Sequence, residues 1–259
     1  MTDTNMWNFD NTGLRTGVFN MEYDRQLAQR LVQEKGRPTV RVYGWQPWAV
    51  SYGWNQSPDE IDTIAAQTNG VDLVRRPTGG RAILHADELT YSVVMRVRQK
   101  SISTVYEEIS RALLAALALL GADAAIEKTQ PNFPALYRSH SAAACFSSAG
   151  RYEIKCKGKK LIGSAQRRYG TEDGEEVVLQ HGSLLLGPGH KKIADFLSFS
   201  TESNRNALRL ELEEKTTDLS TELHRTVAFD EAADAVRRGF ELAWDIQFEI
   251  IHEHQKVHE

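Results

Sequence analysis

The sequence predicts a protein of the α/β (α+β) class in which antiparallel strands are flanked by helices, and three observations carry that reading. Leu89, Tyr91, Val93, Met95 and Val97 recur at every second position, the period of a half-buried strand. Residues 104–120 are so densely apolar, from Ala112 to Leu120 above all, that they read as a helix buried over most of its surface and closed by Gly121. Strand-like Tyr152 to Lys155, Lys160 to Arg168 and Val177 to Leu186, with Asp173-Gly174 as a turn, form a meander.

The remaining elements follow in order. Val18, Met21, Leu27, Ala28, Leu31 and Val32 sit at helical spacing and Gly36-Arg37-Pro38 stops the pattern, which places a first helix over roughly 18–34. Thr39 to Trp45 and Trp48 to Trp54 are rich in β-formers, and Gln46-Pro47 between them reads as a short loop. Ser57-Pro58-Asp59-Glu60 has the form of a capping box with Pro at the first helical position, so a helix is expected from there to Gly70, followed by a short strand over Val71 to Arg75. Residues 128–150 hold two of the seven prolines and a cluster of small residues, and read as a long loop leading to Cys145. From His190 onward the chain reads as mainly helical, with Phe229 to Trp244 amphipathic and Ile246 to Ile251 as a last strand. The expected organisation is a core over 1–190 and a mainly helical part over 191–259 packed on the same domain, with Gly187-Pro188-Gly189 as the best candidate boundary.

Composition excludes several classes. With 41% hydrophobic and 25% charged residues in 259, the chain supports a sizeable core and is neither disordered nor fibrous. The longest apolar run is shorter than the roughly 20 residues of a membrane span, and the first ten residues carry two Asp and no basic segment, so neither a membrane helix nor a signal peptide is expected. Two cysteines, Cys145 and Cys156, make no disulfide framework, which points to a reducing cytoplasm. A net charge of −4 repels nucleic acid as a whole. Eight scattered histidines form no HExxH or close Cys/His pair, so no metal is expected; His252, His254 and His258 read as part of a frayed tail.

The chemistry concentrates in two places. Arg75, Arg76 and Arg81 surround Thr78-Gly79-Gly80, where backbone N–H groups approach an anion or a polarised carbonyl unhindered by a Cβ; an oxyanion or phosphate cradle and an exposed, arginine-solubilised hairpin tip fit this segment equally. His85 follows as a site residue or a core hydrogen-bonding histidine. GxGxxG and GxxxxGK[ST] are both absent. Cys145 and Lys160 are a possible thiol–amine pair, although a lone cysteine is more often a small buried hydrophobe, as Cys156 beside Ile154 reads, and a lone lysine a solvated one. A thiol of pKa ~8.5 is about 3% thiolate at pH 7, and an ammonium that lowers the pKa by ~2 units raises this roughly 25-fold.

Together, RRPTGGRAILHADELTYS (75–92), GKKLIGSAQRR (158–168) and LQHGSLLL (179–186) resemble the biotin/lipoate protein ligase and lipoyl transferase superfamily in order and spacing. FNMEYDRQLA (19–28) is similar to its opening helix and VYGWQPWAVSYGWNQ (42–56) to its first strand pair. Where ATP-dependent lipoate ligases of that superfamily carry a third glycine after the diglycine, Arg81 stands here, and ADELTYS replaces a shorter acidic-Gly-Asn segment. Ala144-Cys145-Phe146 resembles the acyl-accepting cysteine of the octanoyltransferase branch of LipM type, and Lys160 falls on the superfamily's acyl-contacting lysine.

The resemblance implies a single biotin/lipoate ligase-like α/β domain whose mixed sheets surround a narrow acyl tunnel. It implies an octanoyltransferase that moves octanoyl from octanoyl-acyl carrier protein to a lysine of a lipoyl-domain protein, with Cys145 as nucleophile and Lys160 lowering its pKa and binding the acyl carbonyl. Arg76, Gly79, Gly80, His85, Gly163 and Ser164 are the implied substrate-binding residues, and no cofactor is implied. An ATP-dependent lipoate–protein ligase and a non-catalytic acyl or carrier-protein binding module are the alternatives.

Overall fold

A computed structural model describes residues 6–127 and 153–252. The loop expected over 128–150, with Cys145 and His140 in it, and the tail residues His254 and His258 lie outside the described residues.

Eleven strands are described in two sheets: β1 (Met6–Arg15), β2 (Thr39–Trp45), β3 (Ala49–Tyr52), β4 (Asp72–Arg75), β5 (Ile83–His85), β6 (Glu88–Val97), β7 (Ala124–Glu127), β8 (Glu153–Cys156), β9 (Lys159–Gly170), β10 (Glu176–Leu185) and β11 (Gln247–His252). The larger sheet runs β11-β1-β2-β6-β10-β9-β8-β7, and the smaller runs β4-β3-β5. β1 pairs parallel with β2 and β11 and β3 parallel with β4, while the other pairings are antiparallel, so both sheets are mixed. The helices are α1 (Gly17–Val32), α2 (Thr63–Thr68), α3 (Ile102–Leu120), α4 (Glu202–Lys215), α5 (Leu219–Leu223) and α6 (Phe229–Trp244).

β6 organises the site, and it departs from the half-buried strand expected of its alternation: it is buried on both faces. Leu89, Tyr91, Val93, Met95 and Val97 join the main core with Ile109, Leu113 and Leu117 of α3 and Val236 and Phe240 of α6. The intervening Glu88, Thr90 and Ser92 are equally buried but polar, on the face that α1 covers. The strand's alternation therefore separates core from site rather than core from water.

Two further expectations change. Ser57 does accept a hydrogen bond from the Asp59 amide, but it caps only a 3₁₀ turn over Pro58–Glu60. Ile61 is extended, and Asp62 then caps the short α2, so the expected single helix is two pieces. Gln46-Pro47 is the short connection expected between two strands, and it carries the chain from the larger sheet to the smaller. α3 buries one face; Arg111 and Leu119 on its outer side are exposed, because the sheet and α6 cover it from one direction. β1 and β7 carry no alternation strong enough to read from sequence, and both take their place by pairing. No helix among the described residues is long and apolar enough to cross a membrane.

Candidate active site

A pocket open to solvent lies between the two sheets. Ser51, Ile83 and His85 face it from the smaller sheet, Thr90, Lys160, Gly163–Ala165 and His181–Ser183 from the larger, and Met21 from α1. Tyr43, Trp45 and Arg76 complete the wall. Met21, Tyr43, Trp45 and Ile83 give the space apolar lining suited to an alkyl chain, among polar groups such as Ser51, His85 and Lys160.

Of the residues expected from sequence, Arg76, His85, Lys160, Gly163 and Ser164 line this cavity. Lys160 is buried in β9, and its Nζ lies 2.7 Å from Glu153 Oε1 on the neighbouring strand β8. A buried ammonium needs such a partner, since taking it from water alone costs several kcal/mol. Gly79 and Gly80 do not line the wall but shape it: Arg76 donates to the carbonyls of Gly79, at 2.9 and 3.1 Å, of Arg81 at 2.7 Å and of Ser51 at 3.0 Å, so one guanidinium holds the whole glycine turn. Gly80 adopts φ 96°, and a Cβ on Gly53 would come within 2.0 Å of the Gly80 carbonyl; both glycines are dictated by this close backbone crossing. Arg81 turns outward to Glu60 at 3.2 Å.

Two buried polar networks support the wall. In the first, Asp24 of α1 accepts from Arg41 Nη1 at 2.8 Å, Tyr43 OH at 2.9 Å and Ser92 Oγ at 2.8 Å, and lies 3.3 Å from His181 Nδ1. The other ring nitrogen of His181 meets Thr78 Oγ1 at 2.6 Å, which ties the glycine turn to α1 through one imidazole. Burial works against the Asp24 carboxylate, but Arg41 and His181 hold its pKa below the ordinary value. Burial in turn lowers the pKa of His181 and keeps it neutral. In the second, Ser51 Oγ and Glu88 Oε1 each lie 2.8 Å from a ring nitrogen of His85, whose ring stacks on Trp45 with centroids 3.8 Å apart.

Sequence reasoning passed over Asp24, Ser51, Glu88 and Ser183. All four lie inside segments that carry the resemblance, Asp24 in 19–28, Ser51 in 42–56, Glu88 in 75–92 and Ser183 in LQHGSLLL, but nothing in their local pattern sets them apart from their neighbours. Gly182 is required where it stands, since a Cβ there would meet the Gly163 carbonyl at 2.5 Å and Tyr91 at 2.8 Å. Cys156 is buried, donates to the Asp123 carbonyl at 3.0 Å, and has its pKa pushed up to about 11 by burial and the nearby Glu222, as suits an inert thiol.

The profile of the lipoyl protein ligase A/B catalytic domain matches residues 16–241. Among curated relatives, octanoyltransferase LipM of Geobacillus kaustophilus is 36% identical over 94% of this chain and 88% of its own length, and that of Bacillus subtilis 34% identical over 94% and 88%. Octanoyltransferase LipM of Symbiobacterium thermophilum is 39% identical over 90% and 85%. Among solved structures, the bipartite lipoate protein ligase of Thermoplasma acidophilum superposes with a TM-score of 0.73 at 21% identity, covering 96% of this chain and 88% of that one. An ATP-bound lipoate-protein ligase A gives 0.69 at 22%, covering 96% and 89%, so these structures share the fold. With a matching profile across most of its length, and relatives above 30% identity along nearly all of it, the chain belongs to the lipoyl protein ligase A/B catalytic domain family.

Proposed function

We propose that the protein is an octanoyltransferase that takes octanoyl from octanoyl-acyl carrier protein and delivers it to a lysine of a lipoyl-domain protein through a Cys145 acyl-enzyme. The observation that carries this reading is the pocket itself, lined by apolar Met21, Tyr43, Trp45 and Ile83 together with Lys160, whose buried ammonium is paired with Glu153. The names and coverage of the curated relatives support the same activity.

In this reading the Cys145 thiolate attacks the carrier thioester, a C–S bond forms, and the carrier thiol leaves. The lysine ε-amine then attacks the enzyme thioester, giving the amide and regenerating Cys145. Lys160 faces the acyl carbonyl and offers its ammonium to the oxygen that becomes negative in both tetrahedral intermediates. Burying an eight-carbon chain at ~0.8 kcal/mol per methylene contributes about 5–6 kcal/mol, enough to hold the carbonyl in place. One carbon more or less alters affinity only about fourfold.

Intact-mass measurement after incubation with octanoyl-acyl carrier protein tests the proposal. A single octanoyl adduct that maps to Cys145, and that disappears when a lipoyl domain is added, is the expected result. An unmodified enzyme that nonetheless octanoylates the lipoyl domain rules out the covalent route.

A further inference from the structure

Ser51 on β3, His85 on β5 and Glu88 on β6 form one continuous hydrogen-bonded line into the cavity, all three buried. Glu88 Oε1 also accepts from Thr90 Oγ1 at 2.5 Å and Ser183 Oγ at 2.9 Å, so three donors converge on one carboxylate oxygen. The other oxygen, Oε2, is buried with no hydrogen-bond partner among the described residues. As Glu88 is an acceptor here, the proton on the imidazole is assigned to Nδ1, leaving Nε2 to accept from the Ser51 hydroxyl. Ser51 Oγ in turn accepts from Arg76 Nη1 at 3.2 Å. Stacking on Trp45 fixes the ring plane.

Ser51 and His85 both face the substrate space, and the far ring nitrogen of His85 rests against a buried carboxylate, so the line joins a hydroxyl in the pocket to an imidazole and an acid behind it. We propose that Ser51–His85–Glu88 is the proton relay for the amine-acceptor half of the reaction, with Glu88 as the positioning residue that sets the His85 tautomer; the inference rests on the acyl transfer proposed above.

The acceptor lysine, with an ordinary pKa of ~10.4, arrives as an ammonium and cannot attack until it loses a proton. That proton passes to Ser51 Oγ while the Ser51 hydroxyl proton moves to His85 Nε2, leaving a neutral amine and an imidazolium against Glu88. The N–C bond then forms, the C–S bond breaks, and the sulfur leaves as thiolate. The proton shed by the new amide nitrogen goes to that thiolate, and the imidazolium returns its own proton to solvent through Ser51. Lys160 remains the group for the carbonyl oxygen, so the two functions fall on separate residues.

The test compares two acceptors on the isolated acyl-enzyme at pH 7: the lipoyl-domain lysine and hydroxylamine, which is already neutral and needs no prior deprotonation. Glu88→Gln keeps the shape and removes the charge; Ser51→Ala removes the conduit. Each is expected to slow lysine transfer on the order of 100-fold relative to hydroxylamine cleavage. A misfolded fraction lowers both rates together and leaves the ratio fixed. An unchanged ratio in both variants overturns the relay and leaves the three residues as a brace between the sheets. Failure of the wild-type enzyme to form any acyl adduct overturns instead the reading on which the relay rests.

Discussion

The Lys160 ammonium lies 2.7 Å from Glu153 Oε1, with both side chains buried, so the positive charge assigned to the reaction is already half-compensated by a carboxylate on the adjacent strand. This pair tempers any field Lys160 exerts on a thiol, and it makes the ammonium's position, more than its charge, the property the fold preserves. Lys160→Met removes the donor and leaves Glu153 without that ion pair; the expected result is a rise in the pH at which Cys145 is alkylated, together with slower acylation. Lys160→Arg retains the charge but replaces a compact ammonium with a planar fork, and should keep much of the alkylation profile while losing most turnover. Iodoacetamide labelling against pH, with single-turnover acylation on the same samples, checks both. An alkylation profile in Lys160→Met identical to wild type removes Lys160 from thiol activation.

Glu153→Gln isolates the other half of the pair. Removing one partner of a buried ion pair typically costs about 3–5 kcal/mol. A clear loss in urea-unfolding stability is therefore expected, alongside a fall in the alkylation pH of Cys145 as the Lys160 ammonium loses the opposing Glu153 charge. Movement of that pH in the upward direction contradicts the electrostatic account.

Cys145→Ala is expected to abolish transfer, and Cys156→Ser to retain it. The second outcome follows from structure: the Cys156 thiol is buried, bonded to the Asp123 carbonyl and pushed up to about 11 in pKa, so it supplies almost no thiolate at neutral pH. Transfer by Cys145→Ala within a few-fold of wild type leaves the covalent mechanism without its nucleophile.

How much of this was legible beforehand follows from the residues themselves. The meander β8–β10 and the helices α1, α3 and α6 were readable because each buries an apolar face whose period survives in sequence, and the last strand because its residues are β-formers, although Ile250 and Ile251 are exposed. Lys160, Arg76 and His85 were readable because they sit inside segments with a recognisable order. Ser51 and Glu88 sit in such segments too and were still passed over, because their importance comes from strands of two different sheets meeting at His85, a contact 34 residues apart in one direction and three in the other. The polar positions of β6 were read as a solvent face for the same reason: alternation says which residues share a side and nothing about what covers it.

The reaction is expected to proceed with no nucleotide. The carrier thioester already holds the acyl group in activated form, and where ligases of this superfamily carry a third glycine the chain has Arg81, whose side chain turns to Glu60 and whose carbonyl accepts from Arg76. Octanoylation of a lipoyl domain by octanoyl-acyl carrier protein in the presence of excess EDTA, without ATP, is the expected outcome. Product only from free octanoate with ATP and magnesium makes the ligase reading correct.

His190 sets the acid limit of stability. It is buried next to Thr216 Oγ1 at 2.8 Å, and burial lowers its pKa from 6.5 to about 4. A histidine depressed in the fold takes up its proton more readily when unfolded, so the stability it contributes is whole above pH 6.5 and is lost as pH falls toward 4. Across that window the loss amounts to about 3 kcal/mol, and His181, also lowered by burial, adds in the same direction. Urea unfolding at pH 7 and pH 4.5 should show a drop of this order in the wild-type protein. His190→Gln, which keeps a polar partner for Thr216 but cannot titrate, should start less stable at pH 7 and lose less between the two pH values; an equal drop in both proteins places the acid sensitivity elsewhere.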